Sequence, residues 1–187
     1  MKQLKNIIIL IPFFILSCAS GQYLKSYEPI NVFLETQKID KNKKYILQAE
    51  KIDNKKVIAD FNEFKSAGSY FDSNFQPIAY HNEKEYKKMY NKYINDTLKR
   101  YWKKDDFLDF KFIIRKKQDI TSDSINNYLP DQYWISISEP MYYWKQRYLI
   151  FSYNIYNHNG GTTNLIFMKK EGGKWKIDKI SSTDVFF

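Results

Sequence analysis

The sequence predicts an α+β fold: one long amphipathic helix packed on a curved antiparallel sheet, preceded by a smaller β-containing N-terminal part. Two observations carry this expectation. Between Asn82 and Lys104 the tyrosines and aliphatic residues recur at helical spacing. From Leu108 onward the period falls to two, and glycine-rich turns separate the runs.

The composition allows one such core. In 187 residues, 43% are hydrophobic and 18% aromatic, which excludes a disordered chain. Six Gly and five Pro exclude collagen-like and Pro/Gly-rich low complexity. A single Cys excludes an internal disulfide framework and a cysteine-rich metal site.

Taken in order, Ile30–Leu34 is apolar and fits either a strand or a short helix opened by Pro29. Tyr45–Ile52 and Val57–Phe61 read as two strands joined by the polar turn Asp53-Asn54-Lys55-Lys56. Ser66–Ser69 and Asp72–Asn74 read as loop. The helix opens at Asn82, with Glu85 placed as in a capping box. Its expected buried face is Tyr86, Tyr90, Tyr93, Ile94, Thr97, Leu98 and Tyr101. Glu83 with Lys87, and Asp96 with Arg100, are favourable i,i+4 pairs.

Leu108, Phe110, Phe112 and Ile114 then alternate with neighbours as a half-buried strand, and Gln118–Asp131 is a polar loop. Four further strand candidates follow. They are Tyr133–Ile137, ending before Pro140; Tyr148–Tyr156; Thr162–Met168; and Trp175–Ile180. Turns at Asn157–Gly161 and Glu171–Gly173 make the last three an antiparallel meander.

A helix followed by such a meander is similar to the cystatin/NTF2-like arrangement, in which a sheet wraps one helix. Ser138-Glu139-Pro140, an aromatic strand, a Gly turn and Lys170-Glu171-Gly172-Gly173-Lys174-Trp175 resemble the C-terminal part of bacterial envelope lipoproteins. That resemblance implies a fold and no activity.

The N-terminus reads MKQLKNIIILIPFFILSC. Lys2 and Lys5 precede an apolar run, Ile7–Leu16, that is too short to cross a bilayer and fits a secretory leader. Ile15-Leu16-Ser17-Cys18 resembles the bacterial lipobox. The resemblance implies cleavage before Cys18, lipid attachment to its thiol, and a membrane-anchored protein of the cell envelope. Ala19 and Ser20, in place of an Asp, point to the outer membrane if the source is gram-negative. The expected division is a signal peptide at 1–17, a lipidated tether at 18–26 and a single α+β domain at 27–187.

The net charge is +9, but the basic residues are scattered and form no block, so a nucleic-acid partner is not expected. His81 and His158 lack metal-ligand spacing, and no cofactor or metal is expected. Asp105, Asp106 and Asp109, and the loop residues Asp119, Asp123 and Asp131, read as solvated carboxylates without calcium-loop spacing. Ser136, Ser138 and Ser152 lack a nucleophile-elbow context, so no catalytic residue is assigned. The remaining anomaly is Tyr142-Tyr143-Trp144 beside Lys145 and Arg147, a candidate interaction surface for a protein or polysaccharide. The sequence therefore points to a lipid-anchored, non-catalytic binding module. The alternatives are a hydrolase of envelope polymer and a structural or immunity-type partner of another envelope protein.

Overall fold

The alternation that begins at Tyr133 becomes the spine of the molecule. The computed structural model describes residues 23–37, 39–40, 43–66, 82–120, 132–157 and 160–185. They form an α+β fold around an open, mixed sheet of seven strands. The strands are β1 (Lys44–Gln48), β2 (Ile113–Arg115), β3 (Gln132–Ile137), β4 (Met141–Tyr143), β5 (Tyr148–Asn157), β6 (Gly160–Glu171) and β7 (Lys174–Val185). Their order is β2-β1-β3-β5-β6-β7, with β4 also beside β5. The described helices are α1 (Glu28–Thr36), α2 (Asn54–Ser66), α3 (Glu83–Tyr93) and a 3-10 turn at Lys104–Asp106, and residues 117–120, the last described before 132, are helical where a polar loop is expected. Residues 1–22, with the expected signal peptide and Cys18, and His81 and His158 lie outside the described residues.

The meander forms as the sequence predicts. β5, β6 and β7 pair antiparallel in succession. Gly172 and Gly173, at φ +55° and +81°, make the β6–β7 turn in a region open to glycine at no steric cost.

The sheet is not antiparallel throughout, however. β1 runs parallel to both neighbours, with Leu47 opposite Ile114 on β2 and Ile135 on β3. Consecutive Ile46 and Leu47 point to opposite faces and both are buried. A strand covered on both faces suits a parallel, interior position. The N-terminal strand therefore belongs to the main sheet and forms no separate part.

Val57–Phe61 is helix, not strand. Val57, Ile58 and Phe61 are buried while Lys55, Lys56 and Ala59 are exposed, which is a helical stripe. Asp53 Oδ1 accepts from the Lys55 N–H at 2.8 Å and occupies an orphan donor of the first turn. Ile30–Leu34 is also helical, with Pro29 in the first turn of α1.

α3 opens as expected, with Asn82 Oδ1 accepting from the Glu85 N–H at 3.1 Å. It ends at Tyr93 and does not reach Lys104. Beyond it, Asp96 Oδ1 accepts from the Leu98 N–H at 3.1 Å, a local bond that competes with helical pairing. The buried stripe is Glu85, Met89 and Tyr93, whereas Leu98 is 73% exposed and Tyr101 50% exposed. Of the expected strand Leu108–Ile114 only Ile113 and Ile114 pair, within β2, and Leu108 is exposed.

The strand alternation sorts the core into two layers. Leu149, Phe151 and Tyr153 of β5 join Leu47, Ile135 and Ile137 beneath Ile30, Phe33 and Leu34 of α1. Tyr148 and Ile150 join Met141, Tyr143, Leu165 and Phe167 beneath Val57, Ile58 and Phe61 of α2 and Met89 and Tyr93 of α3. Each large apolar side chain so buried contributes about 1.5–3 kcal/mol. Helices thus cover both faces of a mixed sheet, which departs from one helix wrapped by one antiparallel sheet.

Candidate functional site

α2 and α3 cover only part of their face. On β5 that face continues from Tyr148 and Ile150 to Ser152, Asn154 and Tyr156, where the residues turn polar. Register places Ser136 of β3 opposite Asn154. Gln48 of β1 lies two residues beyond Ile46, on the same side. Gln48, Ser136, Asn154 and Tyr156 line the floor of a cleft of about 590 Å³. Its walls come from Glu50–Asn54, Lys56 and Asp96–Tyr101, with Glu139 and Lys117 at the margin. Two short backbone links set the walls together: Lys51 N–H donates to the Arg100 carbonyl at 2.9 Å, and Trp102 N–H to Ala49 at 2.8 Å.

The floor is wired in one direction. Ser152 Oγ donates to Asn154 Oδ1 at 3.1 Å, and Asn154 Nδ2 donates to Ser136 Oγ at 3.3 Å. All three residues are buried. Tyr156 shares a hydrogen bond with Thr163 at 3.0 Å.

One wall contains a buried ion pair. Lys51 Nζ lies 2.7 Å from Glu139 Oε2, with side-chain exposures of 5% and 3%. The same ammonium donates to Tyr27 Oη and sits 4.2 Å and 3.9 Å from the ring centres of Tyr27 and Trp102. Tyr27 Oη in turn donates to Glu139 at 3.0 Å. Burial lowers the Lys51 ammonium below its ordinary range, against the opposing pull of Glu139. Burial, then the neighbouring Glu139 carboxylate, pushes the Tyr27 phenol up.

The other wall has a second cluster. Arg100 Nη1 pairs with Asp96 Oδ2 at 2.9 Å, and its guanidinium lies 4.1 Å from the centre of the Tyr23 ring. Tyr23 Oη donates to Asp96, and Asn54 Nδ2 donates to Tyr23 Oη at 2.7 Å. Burial raises the Asp96 pKa, but hydrogen bonds from Tyr23, the Leu98 N–H and Arg100 outweigh it and hold the carboxyl below its ordinary value. Asn54 is 5% exposed, and its Oδ1 is buried without a hydrogen-bond partner. An orphan acceptor of this kind costs about 1–3 kcal/mol.

The sequence-predicted aromatic triplet is split by the strand. Tyr143 is 1% exposed and packs into the core, with Phe61 at 5.7 Å between ring centres. Tyr142 and Trp144 are half-buried, and Lys145 is exposed. They border a shallow concavity of about 190 Å³ with Lys88 and Lys92 of α3. Asp105 and Asp109 are exposed, and Asp106 accepts from the Lys103 N–H at 2.8 Å as a local cap. Among the described residues no three His, Cys, Asp or Glu side chains are placed to hold a metal. No described helix is long and apolar enough to cross a membrane.

Sequence reasoning did not select Lys51, Asn54 or Glu139. The available signal was Glu139 itself, a carboxylate set between two apolar strands and followed by a proline. Asp96 and Arg100 pair as their spacing predicts, but beyond the end of α3 and not within the helix.

Comparison with protein-family models, with curated proteins and with solved structures finds no match to this chain.

Proposed function

We propose that this chain is a lipid-anchored envelope protein whose folded domain is a non-catalytic binding module, and that the cleft over Ser136, Asn154 and Tyr156 is its binding site. The floor carries this reading. A sheet face that is apolar under two helices becomes polar where the helices end, and its side chains are fixed by one another before any ligand arrives. The anchor reading rests on Ile15-Leu16-Ser17-Cys18. A hydrolase has less support. Glu139 is tied to Lys51 and Tyr27, Asp96 to Arg100 and Tyr23, Glu50 to the Lys117 N–H and Asp53 to the Lys55 N–H, so each carboxylate lining the cleft is engaged as an acceptor.

The test is a photoreactive residue at Thr97, on the exposed rim, with a control at Lys174, the exposed first residue of β7. Irradiation of intact cells should give an adduct from Thr97 and none from Lys174, and Cys18→Ala should move the protein out of the membrane fraction. Equal labelling at the two positions would overturn the binding reading. Unchanged partitioning of Cys18→Ala would overturn the anchor.

A further inference from the structure

We infer that the cleft takes a neutral, hydroxyl-rich ligand, such as a short uncharged glycan segment, held by floor hydroxyls and amides and by a rim of Leu98 and Tyr101. This deepens the binding reading above and rests on it.

Charge is the first argument. The most shielded charges in the two walls are cancelled in place, Lys51 by Glu139 at 2.7 Å and Arg100 by Asp96 at 2.9 Å, while Asp53, Lys56, Lys99 and Lys117, of both signs, are exposed. Both pairs are also fixed by phenols, from Tyr27 and Tyr23. An ionic ligand seated on the floor would have to break one of these pairs or place its charge there without a partner, since the exposed lining charges sit in solvent at the rim. An uncharged polar ligand meets neither cost.

Donor direction is the second. The floor runs from Ser152 through Asn154 to Ser136, each step donating forward. Ser136 Oγ is used as an acceptor, so its own proton is left to donate from the end of the relay. Ser136 lines the cleft. A sugar hydroxyl accepts such a bond and can donate its own proton to a neighbouring acceptor, which an ammonium or a carboxylate cannot do.

The rim is the third. Leu98 is 73% exposed and Tyr101 50% exposed, although both are large and apolar, and both border the cleft. Tyr101 is held in place by its bridge to Glu50. The C–H face of a sugar ring packs on surfaces of this kind, while its hydroxyl edge turns to the floor. The volume of about 590 Å³ falls among small-ligand sites.

The experiment is a titration of the full chain in a phosphocholine detergent, followed by the side-chain amide signals of Asn154 and Gln48. The probes are chitotriose and maltotriose as neutral glycans, trigalacturonic acid as an anion and spermidine as a cation. A neutral trisaccharide should move both amides and saturate, while the charged probes at equal concentration leave them in place. Ser136→Ala and, on the exposed rim, Tyr101→Ala should each weaken binding about fivefold or more. Shifts with a charged probe alone would overturn the ligand class while leaving the cleft as the site. No shift with any probe would overturn the glycan assignment even where the Thr97 adduct forms. Loss of the adduct would remove the underlying reading as well.

Discussion

Lys51 and Glu139, drawn from distant parts of the chain, form a 2.7 Å ion pair that is almost wholly shielded from solvent. Two charges taken out of water need each other. Lys51→Met alone leaves a buried carboxylate without its cation and should cost about 3–5 kcal/mol. The double variant Lys51→Met with Glu139→Leu removes both charges and should recover most of that loss. Urea unfolding midpoints check this, and a double variant no more stable than the single one would show that packing, not charge, sets the cost.

Asp96 links stability to pH. Its folded carboxyl lies below the ordinary 3.8, so the folded state binds its proton less readily than the unfolded state does. The resulting stabilisation is fully present above that ordinary value and is lost as pH falls through the lowered folded value. Asp96→Asn should therefore be less stable than the parent at pH 6, and the gap should close steadily below pH 4. A gap of constant size across that range would contradict the linkage.

Tyr93 and Leu98 share the expected helix face but not the observed environment. Tyr93 is fully buried, and its hydroxyl accepts from the Tyr142 N–H at 3.0 Å. Tyr93→Ala should cost about 3–5 kcal/mol, and Tyr93→Phe about 1–3 kcal/mol through the stranded N–H. Leu98→Ala should stay within about 0.5 kcal/mol of the parent. Chemical denaturation of the three variants orders them directly.

The β4–β5 connection is strained. Trp144, Lys145 and Gln146 hold φ of 44°, 52° and 63°, and none is glycine. Lys145→Gly should relieve left-handed strain of about 1–2 kcal/mol while losing up to about 1 kcal/mol to a more flexible unfolded chain. A small rise in melting temperature is expected. A fall would show that the Lys145 side chain itself supports the turn.

The meander was legible because strands announce themselves locally. Alternation in Tyr148–Tyr156 and the Gly172-Gly173 turn act within a few residues. The same locality hid the rest. Val57, Ile58 and Phe61 follow a helical period, but over too few residues for pattern alone to decide. α3 looks longer in the sequence than it is because the helical spacing continues past Tyr93, while the chain beyond Ile94 turns to local bonds such as that from the Leu98 N–H to Asp96. The cleft was least legible of all. Its residues come from β1, β3, β5 and the chain beyond α3, and only the parallel insertion of β1 beside β3 brings Lys51 to Glu139.

Tyr23 gives the cleft an address. Its ring packs 5.4 Å from that of Tyr93, and its hydroxyl is fastened to Asp96 and Asn54 in the cleft wall. From Cys18 to Tyr23 even a fully extended chain reaches only about 18 Å. An acyl anchor on Cys18 would thus be a short leash, with little slack between the bilayer and the wall. The domain would graze the headgroup layer and sample what lies at the membrane surface, and molecules far out in the aqueous space would have to come to it.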